Sequence, residues 1–151
     1  NTEHNELINS YIKHSGFSNC EVISDSQIKA HLLRKSIFAV VKSGTVSLEV
    51  CNAKIPSIII YKTNFINFLI IKILVKIKYA NIINIVADHE VIPELLQSEC
   101  NSENIYKVVN SHLDSPLKIK DQIIKTEKII NSLKINSSST KLASQAINKF
   151  L

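Results

Sequence analysis

The chain has 151 residues, 45% apolar and 21% charged, with a formal charge of +5. That length and balance suit one compact soluble domain with a real core. The positive charge favours anionic partners (nucleotide, phosphorylated lipid, membrane surface or nucleic acid) without choosing among them. The three cysteines, Cys20, Cys51 and Cys100, are far apart and show neither zinc spacing nor a CxxC pair, so they read as reduced thiols of a cytosolic protein. The five histidines form no HExxH or HxH group, and no metal site is expected. No signal peptide and no basic-aromatic nucleic-acid module is present. The chain begins at Asn1 and contains no methionine, which reads as a fragment.

In chain order, Thr2 is placed to cap a first helix with Leu7, Ile8, Tyr11 and Ile12 on one face and Gly16 as its stop. Cys20–Ile23 reads as a short strand. Ser24, Asp25 and Ser26 then offer a cap to a helix that buries Ile28, Leu32 and Leu33. Ile37–Val41 is a continuous apolar run, the pattern of a strand covered on both faces. After a break at Ser43-Gly44-Thr45, Val46–Ala53 reads as a helix. Ile55–Tyr61 follows as a strand, Phe65–Lys78 as a helix, Ile82–Val86 as a strand, and Glu90–Gln97 and Glu103–Leu113 as helices. Ser115–Ile135 reads as one long helix, and Leu142, Ala143, Ala146, Ile147 and Phe150 as the stripe of a last one. This alternation predicts an α/β fold with a Rossmann-like parallel sheet, flanking helices and a helical C-terminal tail. The expected division is a nucleotide-sugar-binding domain over 1–114, whose first elements can lie outside the chain, and a tail over 115–151.

The segment Ser43-Gly44-Thr45-Val46-Ser47-Leu48-Glu49 carries the chemistry. It stands where a buried parallel strand hands over to a helix, and ligands of open α/β sheets bind at the carboxyl ends of strands. A helix start offers free backbone N–H groups and the positive end of its dipole to a phosphate. Gly44, one of only two glycines, removes the side chain that would block close approach. Glu49 lies one turn after Thr45, on the same face, where a carboxylate suits a ribose diol. By itself, one glycine after a strand is more often a plain turn.

Several blocks in register change that weighting. SGTVSLE at Ser43–Glu49, NAKIP at Asn52–Pro56, the Lys76–Tyr79 stretch and INIVADHEVIPELLQ at Ile83–Gln97 together resemble lipid-A-disaccharide synthase, an inverting glycosyltransferase of the GT-B fold. SSSTKLASQAI at Ser137–Ile147 is similar to the family's closing helix. The chain departs from the family pattern at Ile83, where the family has proline, and at Asp88-His89, where it has Gly-Arg. The second departure is expected to alter a loop and to remove a positive contact.

The resemblance implies the C-terminal half of a GT-B enzyme that transfers 2,3-diacylglucosamine from UDP to 2,3-diacylglucosamine 1-phosphate, releasing UDP. It implies no metal and no cofactor, so helix N-termini and backbone donors must stabilise the leaving diphosphate. On this reading Ser43, Gly44 and Thr45 contact the diphosphate and Glu49 the ribose. Asn84, which matches the family's functional asparagine, and Glu90 join the nucleotide-sugar site. Glu90 reads equally well as a first-turn helix carboxylate. The general base is expected in an N-terminal domain outside this chain, which a separate reading frame can encode.

Phe65–Lys78 has two readings: a core helix with a solvated lysine edge, or a basic apolar surface resting on anionic membrane. The second makes Phe65, Phe68, Lys72 and Lys76 membrane-facing candidates and places the protein peripherally at the inner face of the bacterial inner membrane. The tail stripe either completes the core or pairs between chains as a homodimer. Rival functions are another UDP-sugar enzyme and a non-catalytic remnant or binding module.

Overall fold

The computed structural model describes residues 2–64 and 78–133. The chain divides into two compact units, Asn1–Lys35 and Ser36–Leu151. In the first, α1 (Thr2–Ser15) ends at Gly16, whose φ of 69° lies in the left-handed region that favours glycine. Asp25 starts α2 (Ser26–Lys35) by accepting at Oδ1 from Gln27 N and Ile28 N, each at 2.8 Å. Leu7, Ile8 and Tyr11 of α1 and Ile28 and Leu32 of α2 are exposed. Cys20–Ile23, expected as a strand, is irregular. A strand needs a neighbour for its backbone groups, and a segment of four residues cannot supply one.

The second unit is built on a parallel three-stranded sheet in the order β1 (Ala39–Lys42), β2 (Ser57–Tyr61), β3 (Glu94–Leu96). Ala39 pairs with Ser57 and Lys42 with Ile60, while Ile59 pairs with Glu94 and Tyr61 with Leu96. The central strand reads Ser-Ile-Ile-Ile-Tyr, and Ile58 and Ile59 on its opposite faces are both wholly buried. Both faces are covered, which is why the run is continuous and not alternating. Helix α3 (Thr45–Asn52) follows β1, and α4 (Ile82–Ala87) precedes β3. After β3 come a short 3-10 turn at Gln97–Glu99, α5 (Ser102–Leu113) and α6 (Pro116–Leu133).

Two sequence expectations are reversed here. Ile82–Val86, read as a strand, lies in α4, because Asn81 caps the segment: its Oδ1 accepts from Ile83 N at 2.8 Å. Glu90–Gln97, read as a helix, contains β3 instead. Pro93 contributes its carbonyl to Ile59 N at 2.8 Å, and the residues after it continue the ladder on β2. Short apolar runs satisfy helix and strand alike, so the neighbour decides.

Helix α6 packs against α3, α4 and α5. Its Gln122 clasps the start of the central strand: Oε1 accepts from Ser57 N at 2.7 Å and Nε2 donates to Ser57 O at 2.9 Å. Lys54 and Glu127 add an exposed ion pair at 2.8 Å between the loop after α3 and α6. The expected Phe65–Lys78 helix falls almost wholly outside the described residues, as do Phe65, Phe68, Lys72, Lys76 and the tail stripe from Leu142 to Phe150. Among the described residues, no helix is long and apolar enough to cross a membrane.

Candidate functional site

The chain leaves β1 at Lys42, turns at Ser43-Gly44 and enters α3 at Thr45. Gly44 has φ 144° and ψ −167°, a conformation open in practice only to glycine. A Cβ at this position would meet nothing within 4 Å, so the backbone angle, not crowding, selects the residue. Gly44 is the N-cap of α3, and no side chain caps the helix. The first N–H groups of a helix have no carbonyl partner within it. Those of α3 therefore present a concentrated positive dipole end at the carboxyl edge of the sheet.

A cavity of about 290 Å³ opens beside this turn, lined by Ser43, Gly44, Thr45, Leu48, Ala80, Ile82 and Ile85. It sets the turn at one end against an aliphatic wall from α3 and α4. Ser43 ties the two sides together, donating from Oγ to the Ala80 carbonyl at 2.6 Å. Its own N–H reaches Ile60 O at 3.3 Å, which extends the β1–β2 ladder into the turn. Just before the turn, Lys42 Nζ lies 5.9 Å from the centre of the Tyr61 ring, a cation held at the carboxyl ends of β1 and β2.

The structure thus brings Ser43, Gly44 and Thr45 together around one cavity. Glu49 is exposed one turn further along α3 and does not line it. Asn84 is placed differently from a ligand contact. It has no exposed surface, and its amide is fully used: Oδ1 accepts from Val91 N and Ile92 N, each at 2.9 Å. Its Nδ2 donates to Ile92 O at 2.7 Å and to Glu94 Oε1 at 2.8 Å. An asparagine amide offers two donors and one two-lone-pair acceptor, so Asn84 folds the loop between α4 and β3 back onto α4. Glu90 is exposed on that loop and opens no helix.

Sequence reasoning passed over Ser47, Asn81 and Glu94. Asn81 Nδ2 donates to Ser47 Oγ at 2.7 Å, and both side chains are wholly buried. The Glu94 carboxylate accepts from Ala80 N at 2.7 Å and Asn81 N at 2.9 Å, besides Asn84. An asparagine immediately before an apolar run is a helix-start signal, and that signal could have exposed Asn81. Nothing local marks Glu94. Cys51, on the buried side of α3, has its thiol pushed from 9.0 up to about 11 by burial. Among the described residues, no three His, Cys, Asp or Glu side chains are grouped to hold a metal.

The family model for lipid-A-disaccharide synthetase matches residues 1–150. The chain belongs to the lipid-A-disaccharide synthetase family. It is 34% identical to the lipid-A-disaccharide synthase of Rickettsia conorii over 97% of its own length and 32% of that protein. Against the Rickettsia akari synthase it is 32% identical over 99% of its length and 38% of the relative. Against the Rickettsia canadensis synthase it is 38% identical over 78% of its length and 30% of the relative. The chain therefore spans about a third of the length of the relatives it matches.

Membership gives the departure at Asp88-His89 a structural meaning. Asp88 is the C-cap of α4, with φ 52° and ψ 23° in the left-handed region. Glycine is the least costly residue there, and aspartate is among the few others that tolerate it. The helix end therefore holds with aspartate at its C-cap. His89 turns back on the helix end, with Nδ1 donating to Ala87 O at 2.8 Å.

Proposed function

We propose that this chain is the nucleotide-holding part of a lipid-A-disaccharide synthase. On this reading the whole enzyme transfers 2,3-diacylglucosamine from UDP to 2,3-diacylglucosamine 1-phosphate with inversion, at the inner face of the bacterial inner membrane. The observation that carries the reading is the Ser43-Gly44-Thr45 turn, a glycine-only bend at the start of an uncapped helix, facing a cavity at the carboxyl edge of a parallel sheet. The diphosphate of the donor lies against the N–H groups of that turn, stabilised by backbone donors and the helix dipole. Lys42 adds positive charge beside it. Glu49 takes the ribose hydroxyls from the exposed side of α3. Glu90 approaches the donor sugar from a loop whose shape Asn84 sets. The general base belongs to the part of the synthase that this chain does not cover, so the isolated chain binds nucleotide without turnover.

Calorimetry of UDP binding to the 151-residue chain tests this. UDP is expected to bind, and Glu49→Ala to weaken it about ten- to a hundredfold, the loss expected for a hydrogen bond to a charged group. A folded chain that binds no UDP at millimolar ligand would remove the site and leave a non-catalytic remnant as the better account.

A further inference from the structure

The turn at Gly44 is held from behind by two wholly buried side chains, Ser47 and Asn81, and by the half-buried Glu94. Asn81 divides its amide between two helices: Oδ1 caps α4 at Ile83 N, and Nδ2 donates to Ser47 Oγ of α3 at 2.7 Å. A hydroxyl has a single proton to give. Since Asn81 supplies a donor to Ser47 Oγ, the Ser47 proton is directed to the Gly44 carbonyl, 2.6 Å away. Ser47 N–H meets the same carbonyl at 3.2 Å. Asn81 is itself fixed by Glu94, which accepts from its backbone N–H and from that of Ala80. Ala80 O in turn receives the Ser43 hydroxyl. Both ends of the Ser43-Gly44 peptide pair are thus anchored, through different bonds, to the start of α4.

We propose that Ser47, Asn81 and Glu94 are positioning residues for the anion-facing turn, orienting the Gly44 peptide through a hydrogen-bond relay of fixed direction without touching the ligand. The direction matters because a carbonyl and the N–H of the next residue share one rigid plane. Holding Gly44 O inward fixes where Thr45 N–H points. Ser47 and Asn81 have no exposed surface, and each already has its partners within the protein. Their effect on a ligand passes through the backbone they hold: the turn and, for Asn81, also the start of α4. The inference rests on the diphosphate reading of Ser43–Thr45.

Three variants of the full chain separate this role from a general loss of fold. Asn81→Asp keeps the oxygen that caps α4 but replaces the donor facing Ser47 with an acceptor. The Ser47 proton then turns to the new carboxylate, and Gly44 O is left with the longer bond from Ser47 N–H alone. Ser47→Ala removes the relay from the other side, and Ser47→Thr restores the hydroxyl. Three quantities are read for each: the amide resonances of Gly44, Thr45 and Val46, UDP affinity, and uridine affinity. Asn81→Asp and Ser47→Ala are expected to shift the three resonances and to weaken UDP about three- to tenfold, the scale of one hydrogen bond. Uridine binding is expected to stay unchanged, and Ser47→Thr to recover UDP binding. Unmoved turn resonances in both Asn81→Asp and Ser47→Ala would overturn the relay, as would equal loss of UDP and uridine. Failure of the wild-type chain to bind UDP would instead overturn the diphosphate reading, and the amide resonances alone would then decide the relay.

Discussion

Three helix starts in the larger unit fall into two kinds. At α4 and α5 an asparagine closes the start: Asn81 Oδ1 accepts from Ile83 N at 2.8 Å, and Asn101 Oδ1 accepts from Asn104 N at 2.9 Å. At α3 the corresponding residue is Gly44, with no side chain to accept anything. The closed starts are self-sufficient and need nothing from outside. The start of α3 leaves its donors facing a cavity, and its glycine conformation is costly for any other residue. A ligand that brings negative charge gains at such a start what a capping side chain gains elsewhere. Asparagine therefore marks structure in this fold, and glycine marks the opening.

The contrast can be broken from the closed side first, where the expected effect is largest. Asn84→Ala strands the N–H groups of Val91 and Ile92 in the core and takes a donor from Glu94. Leaving buried groups without partners costs roughly 1–3 kcal/mol each. Urea unfolding should show a loss of about 3 kcal/mol or more, a large share of a small domain's total stability. A loss under about 1 kcal/mol would mean that the loop between α4 and β3 is held by something else.

Gly44→Ala attacks the open side. Space is available for the methyl group, so the cost is that of the backbone angles alone, about 1–3 kcal/mol. Thermal unfolding should move down, and UDP affinity should fall as the turn relaxes to ordinary angles. An unchanged midpoint with unchanged UDP binding would remove the distinction drawn between the two kinds of helix start.

Within the closed class, Asn101→Ala should cost about 1 kcal/mol, the usual value of a cap. Asn81→Ala should cost more, because Ser47 loses its partner as well. Equal losses would show that the bond from Asn81 to Ser47 adds nothing to stability.

The smallest effect concerns Cys51. Its folded-state thiol is raised above the 9.0 of an ordinary one to about 11, so the folded chain resists forming the thiolate. In the unfolded chain that thiol ionises earlier. Stability linked to Cys51 is therefore complete below pH 9 and declines as pH rises from 9 towards about 11. At neutral pH, iodoacetamide should label the exposed Cys20 well before Cys51. Equal labelling rates in the folded chain would contradict the burial of the inner face of α3.

Part of the candidate site was legible in the amino-acid sequence. Ser43, Gly44 and Thr45 stand where a continuous apolar run meets a helical period, and the structure puts all three around one cavity. The sequence resemblance assigns Asn84 to the nucleotide-sugar site, and in the structure its amide is taken up by the loop between α4 and β3. The same amide serves a sugar or a backbone loop equally well, and only the positions of Val91, Ile92 and Glu94 show which groups occupy it here. Ser47 and Asn81 are 34 positions apart, so no local pattern could announce their bond.

The sequence by itself determined the elements whose evidence is local: β1, α3, β2, α5 and α6, each set by an apolar period and a start or stop residue. It also placed the glycine turn, because a strand end, a glycine and a helix start are contiguous. Only the tertiary structure decided the segments whose state depends on a neighbour. Cys20–Ile23 found no ladder and stayed irregular, and Glu94–Leu96 became a strand because β2 had a free edge. Backbone groups must find partners somewhere, and in short runs the partner across space outweighs the propensity along the chain.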